Sequence, residues 1–256
     1  MTPSIATIKR AIVREPGNAY RRCISCHPLR DTIDLTLARE QHARYCKTLE
    51  ELGLELIRVP RDDENADSCF VEDNAVVHGN KALICRMAKE SRRGEVDAVQ
   101  DALKEFVKVR RAQPPATVEG GDVVHLPDRL LSGVSGRTNL EGVAEMRDWL
   151  GIDVDTIRIP DKVHLKSYVT YLGRDTVICT RGYSQDPALS GFHVIVVPED
   201  EAYAADTLAL GDTVLMAKGH PRSHELVRAR GFDVVTLDVS EIEKCEGALT
   251  CLSIIL

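Results

Sequence analysis

No stretch of this 256-residue sequence approaches the ~18 consecutive apolar residues that a membrane-spanning helix needs. Its start, Met1-Thr-Pro-Ser-Ile-Ala-Thr-Ile-Lys-Arg10, lacks the apolar region of a secretory signal, so a cytoplasmic protein is expected. Positive charge is also short. The 33 Lys and Arg against 40 Asp and Glu leave a formal net charge of −7, which argues against nucleic acid or anionic lipid as partner and tolerates a small cationic substrate. There is no phosphate loop, dinucleotide fingerprint or convincing metal motif, so neither a cofactor nor a metal is expected. Cys23 and Cys26 have redox or zinc-pair spacing, but no second Cys/His pair follows at finger distance. They are expected to be free thiols. His220 and His224 are four apart, yet Pro221 intervenes and no Glu follows the first, which reads as a helix start. The eight cysteines are scattered through a chain too long to need disulfide staples, so a reducing compartment is expected, with several of them packed as small core hydrophobes.

What is present is enough for a large core. Hydrophobic residues make up 43% and charged residues 29%, the balance of a globular domain with a charged surface. Two apolar arms around a turn recur along the chain. They are Ala75–Ile84 around Gly79-Asn80, Val123–Leu131 around Pro127-Asp128, Val169–Ile178 around Gly173-Arg174-Asp175, and Leu208–Met216 around Gly211-Asp212. Their starts lie about 48, 46 and 39 residues apart, a spacing in the range of repeat architectures.

Between hairpins comes a helical pattern and one more strand. Helices are predicted over Leu35–Leu52, Val96–Val109, Leu140–Leu150 and Ser223–Arg230, three of them closed by Gly53, Gly151 and Gly231. The fourth unit has only a short Pro-containing segment before Val194, so its helix is doubtful. A fifth unit forms if the final strand, Cys251–Leu256, pairs with the opening strand, Ile5–Arg14. Closure of this kind leaves few strand edges exposed. The alternative is an ordinary mixed α/β sheet with coincidental spacing.

In a closed ring of repeats, equivalent positions face one axis. The polar residues just ahead of the hairpins are Glu72-Asp73, Glu119 and His164, and Cys251 opens the last strand. A thiol, an imidazole and several carboxylates would then share one pocket. A guanidinium ion is a poor electrophile because resonance spreads its charge. Breaking its C–N bond needs a strong nucleophile, a proton for the leaving amine and anions that fix its plane. Cysteine suits the first role once a nearby cation has lowered its pKa. Histidine suits the second, since it titrates near neutrality. Taken singly, each residue has a plainer reading: Cys251 as core, His164 as a structural histidine, Glu119-Gly-Gly-Asp122 as a turn, and Arg92 within a solvated charged run.

The stretches Phe70-Val71-Glu72-Asp73, Ser91-Arg92-Arg93, Glu119-Gly120-Gly121-Asp122, Gly136-Arg137-Thr138-Asn139, His164-Leu165-Lys166-Ser167 and Thr250-Cys251-Leu252-Ser253 resemble the signature of the dimethylargininases, the dimethylarginine dimethylaminohydrolases of the pentein superfamily. The likeness is collinear and covers nearly the whole chain. It implies one α/β domain over residues 1–256, a five-bladed propeller of ββαβ repeats whose N- and C-terminal strands share a blade. It implies Cys251 as nucleophile through a covalent thiouronium, His164 as acid and base, and Glu119 as the group holding His164. By the same resemblance Asp67, Glu72 and Asp73 bind the guanidinium nitrogens and Arg92 and Arg137 clamp the substrate carboxylate. Backbone carbonyls near Ile24 and Cys245 take the amino group, and the Ile24 loop acts as a lid.

The partner is therefore expected to be a small guanidino amino acid: Nω-methylated arginine, giving citrulline and methylamine or dimethylamine. Related arginine deiminases and amidinotransferases usually carry an acid two residues after the histidine, where this sequence has Lys166. Hydrolysis of arginine or another guanidino or ureido acid is the alternative, and a non-catalytic propeller that binds a partner is a distant one. Nothing in the sequence sets the oligomeric state.

Overall fold

The computed structural model describes residues 10–159 and 163–256. Five three-stranded sheets follow one another along the chain. In the blade that joins the termini, β1 (Arg10–Val13) lies between β2 (Glu55–Arg58), parallel to it, and the final strand β15 (Ile254–Ile255), antiparallel to it. The pairing of last strand with first closes the ring, as the repeat spacing predicts. Of the opening strand, Ile5 to Lys9 lie outside the described residues.

The other four blades repeat one plan, an antiparallel hairpin plus a parallel third strand. They are β3 to β5 (Ala75–His78, Lys81–Ile84, Lys108–Arg111), β6 to β8 (Val123–His125, Leu130–Val134, Val154–Arg158), β9 to β11 (Val169–Gly173, Thr176–Cys179, His193–Val196) and β12 to β14 (Leu208–Leu210, Thr213–Ala217, Asp233–Leu237). The middle strands are almost wholly apolar because both faces are covered; Leu83, Ile84, Leu130, Leu131 and Ile178 are fully buried.

Helices bridge hairpin to third strand. In α1 (Leu35–Glu51), the Asp34 carboxylate accepts from the Thr36 and Leu37 amides, satisfying donors that the first turn leaves free. In α3 (Leu140–Leu150), the Asn139 side chain accepts from Gly142, and Gly151 ends the helix at φ +73°, which favours glycine. Between them, α2 (Val96–Lys104) turns Val96, Val99 and Leu103 inward, each worth roughly 1.5–3 kcal/mol when removed from water. Then α4 (Pro221–Ala229) starts on proline, and a short α5 (Ser240–Glu243) follows. The fourth blade has two 3₁₀ turns, Arg181–Tyr183 and Pro187–Leu189, in place of a helix.

Three expectations are corrected. The helix predicted over Val96–Val109 ends at Lys104, and Lys108 and Val109 pair with Lys81 and Ala82 instead. Cys251 lies in a 3₁₀ turn, Thr250–Leu252, ahead of the last strand rather than inside it. Cys23 is not a free thiol, since it is disulfide-bonded to Cys245. That bond joins residues brought together only by ring closure, so local spacing gave no sign of it. Among the described residues, no helix is long and apolar enough to cross a membrane.

Candidate active site

A 3₁₀ turn precedes the first strand of every blade: Val71–Asn74, Gly120–Asp122, Leu165–Ser167, Glu199–Ala205 and Thr250–Leu252. These turns touch one another around the axis. The polar residues that the sequence places ahead of the hairpins are thereby drawn together from separate blades.

His164 is the centre of charge. Its Nε2 lies 2.8 Å from Glu119 Oε2 and 3.6 Å from Asp73 Oδ1. Burial opposes a charged ring, but Asp73, the hydrogen-bonded Glu119 and Asp122 overcome it and raise the imidazole's pKa to about 9. In return, and against the same burial, His164 helps hold Asp73 and Glu119 below the ordinary carboxylate range. Asp73, Glu119 and His164 offer ligand atoms within 4.8 Å of one another. A metal is not needed to balance the two carboxylates, because the imidazolium and Arg92 already do so.

The paired glycines make this approach possible. A Cβ on Gly121 would meet Asp73 Oδ1 and His164 Nδ1, each at 2.7 Å, and one on Gly120 would meet the Glu72 carbonyl oxygen at 2.0 Å. The Gly121 amide donates to Asp73 Oδ1 at 3.0 Å. Asp122 fixes the neighbouring turn by accepting from the Leu165 amide at 3.0 Å and the Ser135 hydroxyl at 2.7 Å.

Arg92 is buried, and the solvated-loop reading of its segment does not hold for it. Its guanidinium donates to Asp73 Oδ2 at 2.9 Å, forks onto Glu95 and lies 3.6 Å from Glu119. Despite burial, these anions keep it firmly charged. Arg137 reaches Glu119 at 3.4 Å and is less enclosed. Asp67 accepts the Ile24 amide at 3.2 Å, and burial pushes its pKa up. Ile24 itself is 40% exposed, next to the Cys23–Cys245 bond.

Cys251 is 8% exposed and its sulfur accepts from the Ala248 amide at 3.4 Å. Burial pushes the thiol up, and Asp206, Glu72 and Asp73 push it further. In the free protein, burial and anions rather than the expected cation thus set the state of the thiol.

Beside the sulfur lies a second polar chain. Lys166 Nζ donates to Glu72 Oε1 at 2.6 Å, and Thr250 Oγ1 lies 2.9 Å from both Glu72 Oε2 and Asp206 Oδ1. Burial raises the pKa of Glu72 even though Lys166 counters it. A cavity of ≈ 520 Å³ opens against Glu72, Lys166 and Thr250, while Cys251, His164 and Asp73 do not line it. Asp206, Thr250, Asp122 and Glu95 were not assigned roles from the sequence. For Asp206 a signal existed: it precedes the fifth-blade hairpin by two residues, as Asp73 precedes the second.

Comparisons with known proteins point to one family. Residues 15–254 match the family of eukaryotic N,N dimethylarginine dimethylhydrolases. The N(G),N(G)-dimethylarginine dimethylaminohydrolase of Streptomyces coelicolor is 38% identical over 250 residues, 96% of each chain. A cysteine-to-serine variant of the Pseudomonas aeruginosa enzyme, complexed with citrulline, superposes with a TM-score of 0.94 at 31% identity over 97% of this chain and 99% of that one. A dimethylarginine dimethylaminohydrolase with a histidine-to-glycine substitution, in adduct with S-methyl-L-thiocitrulline, gives the same TM-score and identity over 98% of this chain and all of the other.

Proposed function

The chain belongs to the dimethylarginine dimethylaminohydrolase family, and from that premise we propose that it hydrolyses Nω-mono- or dimethylarginine to citrulline and methylamine or dimethylamine. The observation that carries the reading is that one carboxylate, Asp73, lies 3.6 Å from a charged His164 imidazole and is also among the anions that hold the Cys251 thiol neutral. A guanidinium entering this cluster supplies the missing cation. Its charge offsets Asp73 and Glu72, lowers the thiol's pKa and places the electrophilic carbon beside the sulfur that it helps to ionise.

The steps follow from the charges. As the guanidinium binds, Cys251 gives its proton to water, and the resulting thiolate attacks the guanidinium carbon. His164, already protonated, gives its proton to the departing amine as the C–N bond breaks. The covalent thiouronium remains on sulfur. Neutral His164 then takes a proton from water, the hydroxide attacks the same carbon, and as the C–S bond breaks the added hydroxyl passes its proton to the leaving sulfur, releasing the neutral ureido product and the Cys251 thiol. Glu119 keeps the ring oriented throughout. Arg137, with Arg92 behind it, receives the substrate carboxylate. Carbonyls near Ile24 and Cys245 take the amino group, under the loop that Asp67 anchors.

Methylated rather than plain arginine is favoured by Lys166, which already occupies one oxygen of Glu72. A dialkylated nitrogen has no N–H to give and needs no further acceptor there. The test is kcat/KM for asymmetric dimethylarginine and arginine on the purified enzyme. We expect the methylated substrate to lead; a higher value for arginine overturns the choice of substrate. Trapping with an amidine inactivator followed by mass spectrometry is expected to label Cys251, and labelling of another cysteine would move the nucleophile.

A further inference from the structure

The Thr250 hydroxyl bridges two carboxylates at equal distance, 2.9 Å to Glu72 Oε2 and 2.9 Å to Asp206 Oδ1, and all three residues are buried. A hydroxyl has one proton. It can donate to one of these oxygens, and toward the other it can only accept, so one of the two acids must carry a proton of its own. With both ionised, one buried carboxylate oxygen would face the lone pairs of the hydroxyl instead of a donor.

The neighbours decide which acid that is. Glu72 has Lys166 Nζ at 2.6 Å on its other oxygen, a charge pair that keeps it ionised. Among the described residues Asp206 makes no ion pair. The titratable groups facing it are Glu72, Lys166, Cys251 and Tyr203. Two of these are anionic or become so, Tyr203 keeps its proton, and the cation is already bound to Glu72. The contact that Asp206 makes with the Thr250 hydroxyl therefore calls for a donor, which a neutral carboxylic acid supplies.

We propose that Asp206 works in its protonated form as a positioning residue, donating to the Thr250 hydroxyl so that this hydroxyl donates to Glu72 and holds it, with Lys166, against the bound guanidinium. The proposal rests on the guanidino-hydrolase reading of the site. The repeat independently accounts for its place at the axis, since Asp206 precedes the fifth-blade hairpin by two residues as Asp73 precedes the second. Burial and the Glu72 charge bring the Asp206 pKa up to about 7, so the proton is present in mildly acidic buffer, half lost at neutrality and gone above it. Ionised Asp206 then adds an anion beside Cys251 and strips Thr250 of its donor.

The deciding variant is Asp206→Asn, whose amide supplies one donor and one acceptor in the same shape. At pH 6.5 its kcat/KM for dimethylarginine is expected within about threefold of wild type, whereas Asp206→Ala, lacking the donor, is expected to lose about tenfold or more. As pH rises from 7 to 8.5 the wild type declines, and Asp206→Asn does not. A second measurement needs no substrate: iodoacetamide labelling of Cys251 against pH, followed on its own peptide by mass spectrometry. Its midpoint is expected to shift to lower pH in Asp206→Asn, because the ionised neighbour is gone. A tenfold or greater loss in Asp206→Asn at pH 6.5, or labelling profiles that superimpose, overturns the proposal. Failure of the substrate reading would leave the labelling shift in place, which separates the two.

Discussion

One carboxylate stands between two cations: Asp73 lies 2.9 Å from Arg92 through one oxygen and 3.6 Å from the His164 ring through the other. Asp73 thus couples the charge of the imidazole to that of the arginine behind it. The site is a buried ionic lattice in which every member depends on the state of the others. Such lattices are costly to break, because removing one partner leaves an uncompensated charge without water.

The first prediction concerns pH. His164 has its pKa raised from 6.5 to about 9 on folding. A raised histidine contributes stability that is complete below about 6.5 and is lost as pH rises through about 9, a contribution on the order of 3 kcal/mol. Asp73 and Glu119 are lowered, so their contribution is present above the ordinary carboxylate range and lost as pH falls through their lowered pKa values. These three groups alone would hold the melting temperature level in mildly acidic to neutral buffer and lower it on both sides, while Asp206 and Glu95, raised to about 7, lower it gradually as pH rises toward 7. Beyond the decline set by Asp206, turnover is expected to fall again above pH 9, where the leaving amine loses its proton donor. In His164→Gly, turnover should drop at least ~10²–10⁴-fold, and the alkaline drop in melting temperature should vanish. An alkaline limb unchanged in that variant would assign it to another group.

The second concerns Gly121. A single methyl there meets Asp73 and His164 at 2.7 Å, inside any real contact distance. Gly121→Ala is expected to push the two apart and to lower kcat by at least ~10²-fold, while a methyl at Gly136, which meets nothing within 4 Å, leaves kcat within about twofold. Equal activity of the two variants would show that the Asp73–His164 spacing is not limiting.

These side-chain relations were legible in the sequence to different degrees. The hairpins and three of the helix ends were readable because their signals are local: Gly79-Asn80 and Gly211-Asp212 turns, Gly151 after Leu150. Regular spacing then gave the ring. The end of α2 was misread because Val107 and Val109 suit a helix face and a strand equally, and only pairing with β4 decides. The Cys23–Cys245 bond spans 222 positions and exists only once the ring has closed. Asp206 follows an Ala-rich turn with no neighbouring motif, so its role depends on what Thr250 and Glu72 bring to it. The high pKa of Cys251 was also illegible, because it is set by anions contributed from other blades.

The third prediction separates the two arginines. Arg137 is the freer, with Glu119 at 3.4 Å, whereas Arg92 is committed to Asp73 and Glu95. Arg137→Ala is expected to raise KM for dimethylarginine about 10–100-fold, the worth of a charge-assisted hydrogen bond, with kcat less affected. Guanidines without a carboxylate should lose little. Arg92→Ala is expected to lower melting temperature as well, since it leaves three buried carboxylates short of a cation. Equal losses on both classes of guanidine for Arg137→Ala would remove it from the carboxylate clamp.

The fourth tests what the disulfide does for the lid. Cys23 and Cys245 flank the two segments proposed to receive the substrate's amino group, and Ser25 adds a hydrogen bond to the Lys244 carbonyl at 2.8 Å. Opening the bond frees the Ile24 loop to move relative to the segment that leads to Cys251. The bond also closes a very long loop of chain, and its loss is expected to cost about 2–4 kcal/mol, a fall in melting temperature of roughly 5–15 °C. Reduction with dithiothreitol, or Cys23→Ser, should therefore lower melting temperature and raise KM several-fold more than it lowers kcat. Thiol titration in denaturant provides the control, rising from the six free cysteines to all eight upon reduction. If that count rises while melting temperature and KM stay fixed, the loop is held by Asp67 and Ser25 without help from the sulfur bridge.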